Sequence, residues 1–367
     1  MWDRYTFRKL RGVEIEAVKS FIVFRGALSQ ISVLFFNSQD ELFGFGFNGR
    51  DYNILGVTGS SFRSETIDSP TKVELLSGKR ITRMSTGIHV CAALDEQSNL
   101  YWWGQDLDQP KNVRLPEIVA PGHKFKAVSC GAQIMAALDS SGVVYIWGKD
   151  RQMWLLQVEH PVKHLSSGYY HIAMLAENGQ VYTWGDGVEG QRGYEGYTKA
   201  DNDLAKRMDL NQECTSVVCG TYNTMCLTVS GELWACGGNN MWCGCLGVPH
   251  DKMSVHIPEK VEVPGRVFII TATFHYSQQT IFAALTSEGL YWWCERPYTS
   301  RAPDPTIVRL LAVFESPHDQ MFHVSESCNS RLSRLFDRCL IDIPDSLAEG
   351  VTSRLQRLIE DVSSSED

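Results

Sequence analysis

No run of apolar residues in this chain of 367 approaches the roughly 18 that a membrane-crossing helix needs, and the N-terminus has no apolar signal core. There is no Asn-x-Ser/Thr acceptor for a sugar, and the 11 cysteines are odd in number and scattered. These absences predict a soluble intracellular protein of the cytoplasm or nucleus, with no membrane partner. Charge is also scarce, at 21% of residues with a net of −9. That balance argues against a strong nucleic-acid binder, whose affinity comes from neutralising phosphates. The one basic cluster is Arg4, Arg8, Lys9 and Arg11 within residues 1–12, interleaved with Trp2, Tyr5 and Phe7, which suit packing onto a folded body. No Gly-x-Ser-x-Gly elbow and no acid–base set stands out, so no catalytic residues are expected. What the chain does have is 43% hydrophobic residues, 30 Gly and 10 Trp. Short strands joined by tight turns are the expected outcome.

The sequence repeats itself. One phrase recurs as Leu42-Phe43-Gly44-Phe45-Gly46, Leu100-Tyr101-Trp102-Trp103-Gly104, Val144-Tyr145-Ile146-Trp147-Gly148, Val181-Tyr182-Thr183-Trp184-Gly185, Leu233-Trp234-Ala235-Cys236-Gly237 and Leu290-Tyr291-Trp292-Trp293-Cys294. A second glycine precedes four of these at a constant spacing of 17, as Gly87, Gly131, Gly168 and Gly220. Seven residues after each of those lies a leucine: Leu94, Leu138, Leu175 and Leu227. Each copy reads as a hairpin, with Ser141-Gly142, Asn178-Gly179 and Ser230-Gly231 as turns. In the return strand Tyr101 and Trp103 point one way while Leu100 and Trp102 point the other, so both faces must be covered. Small residues in the preceding strand, such as Ala92, Ala93, Ala136 and Ala137, suit a crowded radial stack. A β-propeller meets these demands.

The chain is therefore predicted to be all-β, a seven-bladed propeller over residues 13–327 followed by a helical tail. Seven blades over residues 13–325 give about 45 residues each, a usual blade size. Residues 307–325 read as a degenerate seventh blade; six blades plus an added strand pair is the open alternative. Residues 1–12 form a basic segment and 363–367 a disordered end. Residues 328–362 read as two helices, the second opened by the capping box Ser346-x-x-Glu349.

Cys130-Gly131, Cys219-Gly220, His89, the loop Gly185 to Gly193 and Cys243-Gly244-Cys245-Leu246-Gly247 resemble the regulator-of-chromosome-condensation repeat family of seven-bladed propellers. The order of segments is most similar to the branch that carries a BTB domain after the propeller, although too few residues follow for a complete BTB domain. The resemblance implies a protein-binding module, with a small GTPase or a ubiquitin-ligase component as the partner classes. The founding member is an exchange factor for the Ran GTPase, which it opens with an inserted hairpin. Here the third-to-fourth blade passage offers only Lys149 to Pro161 for such an insertion. A non-catalytic interaction scaffold is accordingly the leading expectation, with exchange factor and ubiquitin-ligase recruitment as alternatives.

Loops on a rigid scaffold are where binding concentrates. The loops leaving the Trp-Gly strands open on one rim, where Asp106, Asp108, Asp150, Arg151, Asp186, Glu189 and Asn239 are the candidate partner-binding residues, with Asn48 beside them. Arg192 is counted with Arg151 among the few cations. Three other motifs are weighed and set aside. Gly44-Phe45-Gly46-Phe47-Asn48-Gly49 fits a dinucleotide fingerprint, but no helix pattern follows it. Cys236, Cys243, Cys245 and His250 lack zinc-ligand spacing. His89 and His171 sit near matching repeat positions and are expected to serve their own blades. No cofactor and no metal are expected.

Overall fold

The computed structural model describes residues 18–25, 31–49, 53–61, 64–105, 113–132, 134–147, 153–196, 204–239, 246–248, 253–274, 280–287, 289–294 and 306–307. The N-terminal basic segment, the helical tail and its end lie outside these residues. Within them the chain forms 24 strands in six four-stranded sheets, each a meander in chain order. The first sheet is β1 (Val18–Arg25), β2 (Ile31–Asn37), β3 (Leu42–Phe47) and β4 (Thr66–Lys72). The second is β5 (Ile81–Thr86), β6 (Val90–Asp95), β7 (Leu100–Gln105) and β8 (Val113–Val119), and the third β9 (Phe125–Cys130), β10 (Met135–Asp139), β11 (Val144–Trp147) and β12 (Met153–Leu156). The fourth is β13 (Val162–Ser167), β14 (His171–Ala176), β15 (Val181–Gly185) and β16 (Lys206–Arg207). The fifth is β17 (Cys214–Cys219), β18 (Asn223–Thr228), β19 (Leu233–Gly238) and β20 (Ser254–Val261), and the sixth β21 (Val267–Phe274), β22 (Thr280–Thr286), β23 (Gly289–Cys294) and β24 (Thr306–Ile307).

The predicted hairpins form in register. Cys91 pairs with Trp103 and Leu94 with Leu100, while Ser32 pairs with Gly46 and Phe36 with Leu42. The turn glycines Gly142, Gly179 and Gly231 take positive φ of 89, 80 and 81°. Both faces of the return strand are covered. Tyr101 and Trp103 enter a core shared with Leu34, Leu55 and Val73 of the first blade, and Leu100 and Trp102 enter one shared with Phe125, Met135 and Trp147 of the third. Trp103 is 1% exposed, and its indole donates to the Ile54 carbonyl at 2.9 Å. Apolar cores thus lie between successive sheets, not within one.

Successive sheets meet through their first strands, β5, β9, β13, β17 and β21. There the constant glycine acquires its physical reason. A Cβ on Gly87 would overlap the Gly131 carbonyl oxygen, one on Gly131 the Gly168 oxygen, and one on Gly168 both the Gly220 oxygen and the His171 ring. The four glycines are consecutive contacts from blade to blade. Beside them runs a row of serines. Cys130 N donates to Ser85 Oγ, Ser167 N to Ser129 Oγ and Cys219 N to Ser166 Oγ, each at 2.9 Å. Each first strand so satisfies a backbone donor of the next.

One boundary needs correcting. Ile307, expected to open the seventh blade, pairs with Tyr291 as the outer strand of the sixth sheet. The rest of the expected seventh blade lies outside the described residues, as does the side chain of Trp293, whose backbone pairs with Phe282. No helix among the described residues is long and apolar enough to cross a membrane.

Candidate protein-interaction rim

In a four-stranded meander the first and third connections share one end of the sheet. Backbone bonds confirm that neighbourhood. Gln105 N donates to His89 O at 2.7 Å, Asp186 N to Tyr170 O at 2.9 Å, and Gly238 N to Tyr222 O at 2.9 Å. The Trp-Gly glycine makes this approach geometrically feasible. Gly104, Gly185 and Gly237 hold φ of 110, 107 and 116°, and a Cβ on each would overlap the carbonyl of His89, Tyr170 or Tyr222. Gly46 has the same conformation at φ 98°. Gly148 lies outside the described residues; Trp147 is buried and Trp184 half-buried.

The predicted rim residues divide into three groups. Asp106, Asp108, Asp150 and Arg151 lie outside the described residues. Asp186 and Glu189 stand half-buried on the loop that leaves β15. Asp186 Oδ1 accepts from Gly187 N at 2.8 Å and Val188 N at 3.2 Å, and Glu189 N donates to Gln191 Oε1 at 2.9 Å. No lysine or arginine among the described residues pairs with either carboxylate. At the opposite, hairpin end three acids are paired, Glu41 with Lys72 at 2.8 Å, Glu96 with Arg80 at 3.0 Å and Glu232 with Lys260 at 3.0 Å, while Asp139, Glu177 and Glu213 have no lysine or arginine partner among the described residues.

The third group turns inward. Asn239, expected on the rim, is 1% exposed, and its Oδ1 accepts from Leu246 N at 3.4 Å. Asn48 is fully buried and accepts from Leu55 N at 3.1 Å in the same way. Both close the long loop of their blade on a leucine seven positions later, a spacing the sequence displayed. Arg192 is also buried, with Nη2 donating to Gly196 O at 3.0 Å and its guanidinium 4.8 Å from the Tyr194 ring centroid. It is not a surface cation.

His171 does more than serve its own blade. Its Nε2 lies 3.0 Å from Thr224 Oγ1 of the fifth sheet, so it ties the fourth blade to the fifth. Complete burial pushes its pKa down to about 3, and burial lowers that of His89 to about 4. Both are neutral structural imidazoles at ordinary pH. The loop after Gly44-x-Gly46 closes on Asn48 and Glu65 O, and its described residues hold a single 3-10 turn, Gly59–Ser61, and no α-helix. Cys236 is buried and donates to Gln191 O at 3.7 Å, while Cys243, Cys245 and His250 lie outside the described residues. Among the described residues, no group of three His, Cys, Asp or Glu is placed to hold a metal.

The sequence reading missed an aromatic cluster on the same end. Tyr169 and Tyr170 follow Gly168, and Tyr222 occupies the equivalent turn of the fifth blade. The Tyr169 and Tyr170 rings meet edge-on at 4.4 Å between centroids, and Tyr169 and Tyr222 stack at 5.7 Å. The signal available was two tyrosines where the second and third copies have His89 and Gln133.

Comparison with known proteins agrees with this architecture. Residues 162–191, which span the fourth blade's first three strands and part of the loop, match the Regulator of chromosome condensation (RCC1) repeat. Prp20p from Saccharomyces cerevisiae, in a structure described with its binding to Gsp1p and histones, is 20% identical, with a TM-score of 0.61 over 78% of this chain and 73% of that one. Yeast RCC1 (Prp20) bound to Kap60 gives a TM-score of 0.62 at the same identity, over 78% and 71% of the two chains. SCF-associated factor 1 of Saccharomyces cerevisiae is 32% identical over 89 residues, which cover 20% of this chain and 14% of that protein.

Proposed function

We propose that this propeller, which matches the RCC1 repeat over residues 162–191, is a non-catalytic protein-interaction module whose partner meets the loop rim. The observation that carries this reading is the acidic loop that leaves β15 on the rim. Asp186 and Glu189 on that loop have no lysine or arginine partner among the described residues. Asp106, Asp108 and Asp150 belong by sequence to equivalent loops and add to their acidic charge. A basic surface on the partner complements it, and association weakens as salt is added.

Proximity labelling and affinity purification of the full chain test this reading. A variant with the five rim acids changed to Asn or Gln is expected to lose its principal partners. If every recovered partner stays bound, the rim is not the contact surface.

The local similarity to SCF-associated factor 1 supports a ubiquitin-ligase setting, in which the rim recruits the protein to be modified. Recovery of ligase subunits with the full chain tests it. Nucleotide exchange on a Ran-like GTPase has less support. β12 fills the fourth position of the third sheet, and only residues 157–161 separate it from β13, which leaves no inserted hairpin between those two strands. Accelerated GDP release from Ran at micromolar protein would reverse this ranking.

A further inference from the structure

Tyr169, Tyr170 and Tyr222 surround the inner ends of the fourth and fifth blades, on the same end of the molecule as Asp186 and Glu189. The positions are fixed by backbone rather than by chance packing. Tyr169 N donates to Thr221 O of the next blade at 3.0 Å, and Thr221 N donates in turn to Thr280 Oγ1 of the sixth at 2.8 Å. The Tyr170 carbonyl holds Asp186 N, which brings the acidic loop directly beside that residue. Glu189 reaches the other side, its Oε2 lying 3.6 Å from where a Cβ on Gly238 would stand, next to the carbonyl that Tyr222 offers to Gly238 N. The result is a half-buried cluster of three rings with the loop that carries Asp186 and Glu189 bonded alongside it.

The repeat itself says which of these residues the fold requires. The glycine before each turn is common to the second, third, fourth and fifth blades, and its absence of a side chain is what the ring contact demands. The residue two positions later is His89, Gln133, Tyr170 and Tyr222 in turn, so the ring can be built without tyrosine there. The same holds one position after the glycine, where Ile88 and Ala132 stand in place of Tyr169. Aromatic faces concentrate negative potential, and adjoining carboxylates add to it. A cation that also presents a flat, weakly hydrated surface fits both features, which describes a guanidinium better than an ammonium.

We propose that Tyr169, Tyr170 and Tyr222 form the central anchor of the rim and take an arginine side chain from an extended basic segment of a partner protein, with Asp186 and Glu189 as its charge complement. This rests on the reading of the rim as the contact surface, and it names what is recognised there. The flanking acids serve selection among partners, while the rings supply the surface that water must leave.

The test uses the full chain and two fluorescein-labelled dodecapeptides, alike except that three arginines in one are citrullines in the other. Anisotropy at low salt is expected to show the arginine peptide binding at least tenfold tighter. Tyr170→Ala and Tyr222→Ala should each weaken it about fivefold or more, whereas Tyr170→Phe should stay within about twofold, because the ring face and not the hydroxyl makes the contact. Thermal unfolding of each variant separates lost binding from lost folding, and Tyr170→Phe with Tyr222→Phe keeps the core shape if the alanines unfold. Equal affinity for the two peptides, or alanine variants that fold and bind as the parent does, would overturn the proposal. So would a tighter peptide complex when Arg4, Arg8, Lys9 and Arg11 are changed to Gln, since the chain's own basic segment would then be the occupant. If partners from cells depend on the rim acids while the tyrosines are neutral, the rim reading survives and the anchor does not.

Discussion

Replacing Gly131 by alanine adds one methyl group at the place where two blades touch. Its backbone is not in the positive-φ region, so alanine is conformationally acceptable and the effect is one of contact alone. The new Cβ would overlap the Gly168 carbonyl oxygen and stand 2.8 Å from Ile134 Cγ2. Backbone on one side and a buried β-branched side chain on the other leave nothing flexible to move, so the third and fourth blades must part. Overpacking of this kind costs about 1–3 kcal/mol. Parting the blades also strains the neighbouring bond from Ser167 N to Ser129 Oγ, and an unpaired buried donor costs about 1–3 kcal/mol more. The methyl restricts the unfolded chain and returns about 0.4–1 kcal/mol. The net loss is roughly 1–5 kcal/mol, which lowers Tm by roughly 1–7 °C in a chain of this size. Gly78 is the control, because at φ 75° with no atom within 4 Å it meets only backbone strain, about 1 kcal/mol. Denaturant unfolding followed by tryptophan fluorescence and by circular dichroism compares the two. If Gly131→Ala is no more destabilising than Gly78→Ala, the glycines do not hold the blades in contact and the account of their spacing fails.

Two further perturbations probe the same joints. Ser166→Ala removes the acceptor for Cys219 N between the fourth and fifth blades and should cost about 1–3 kcal/mol in urea unfolding, with the slope unchanged. His171 is neutral in the folded state down to about pH 3, whereas its unfolded value is 6.5. The unfolded chain therefore binds the extra proton first, so stability is lost as pH falls from about 6.5 toward 3. The slope from this one group is about 1.4 kcal/mol per pH unit. In His171→Gln, stability should be lower at neutral pH and fall less steeply by that amount between pH 6 and 4.5; parallel curves would count against a buried neutral imidazole.

The strands were readable because hairpins are local. The spacing of Leu94 and Leu100 about a turn, and the two-sided apolar return strand, dictate a pair of strands covered on both faces, and Trp103 and Trp102 do enter opposite cores. What lies between blades was not readable in the same way. His171 and Thr224 are 53 positions apart, as are Ser166 and Cys219, so no window along the sequence brings them together. The repeat marked Gly87, Gly131, Gly168 and Gly220 as equivalent without showing that each touches the next. The rim was legible as a set of loops but not residue by residue. Asn239 and Asn48 read as exposed polar residues because amides are common in turns, yet a buried loop amide also satisfies backbone donors, and theirs serve Leu246 N and Leu55 N.

A ring assembled from copies separates two kinds of position. Those shared between blades, the glycines, serines and core leucines, are committed to contacts that every copy must make. Those that change from copy to copy are released from that duty, and the change from His89 and Gln133 to Tyr170 and Tyr222 falls beside Asp186 and Glu189, which have no lysine or arginine partner among the described residues. Electrostatics alone would not hold a partner there, because attraction between exposed charges is screened beyond about 8 Å at physiological salt. The acids therefore act mainly once a partner is already close, where they discriminate a basic segment from others. Binding strength has to come from surface that loses water on contact, and on this end of the fourth and fifth blades the tyrosine rings supply it. It follows that neutralising the acids should change which partners bind and how steeply salt weakens them, whereas removing the rings should shorten the lifetime of every complex the rim forms.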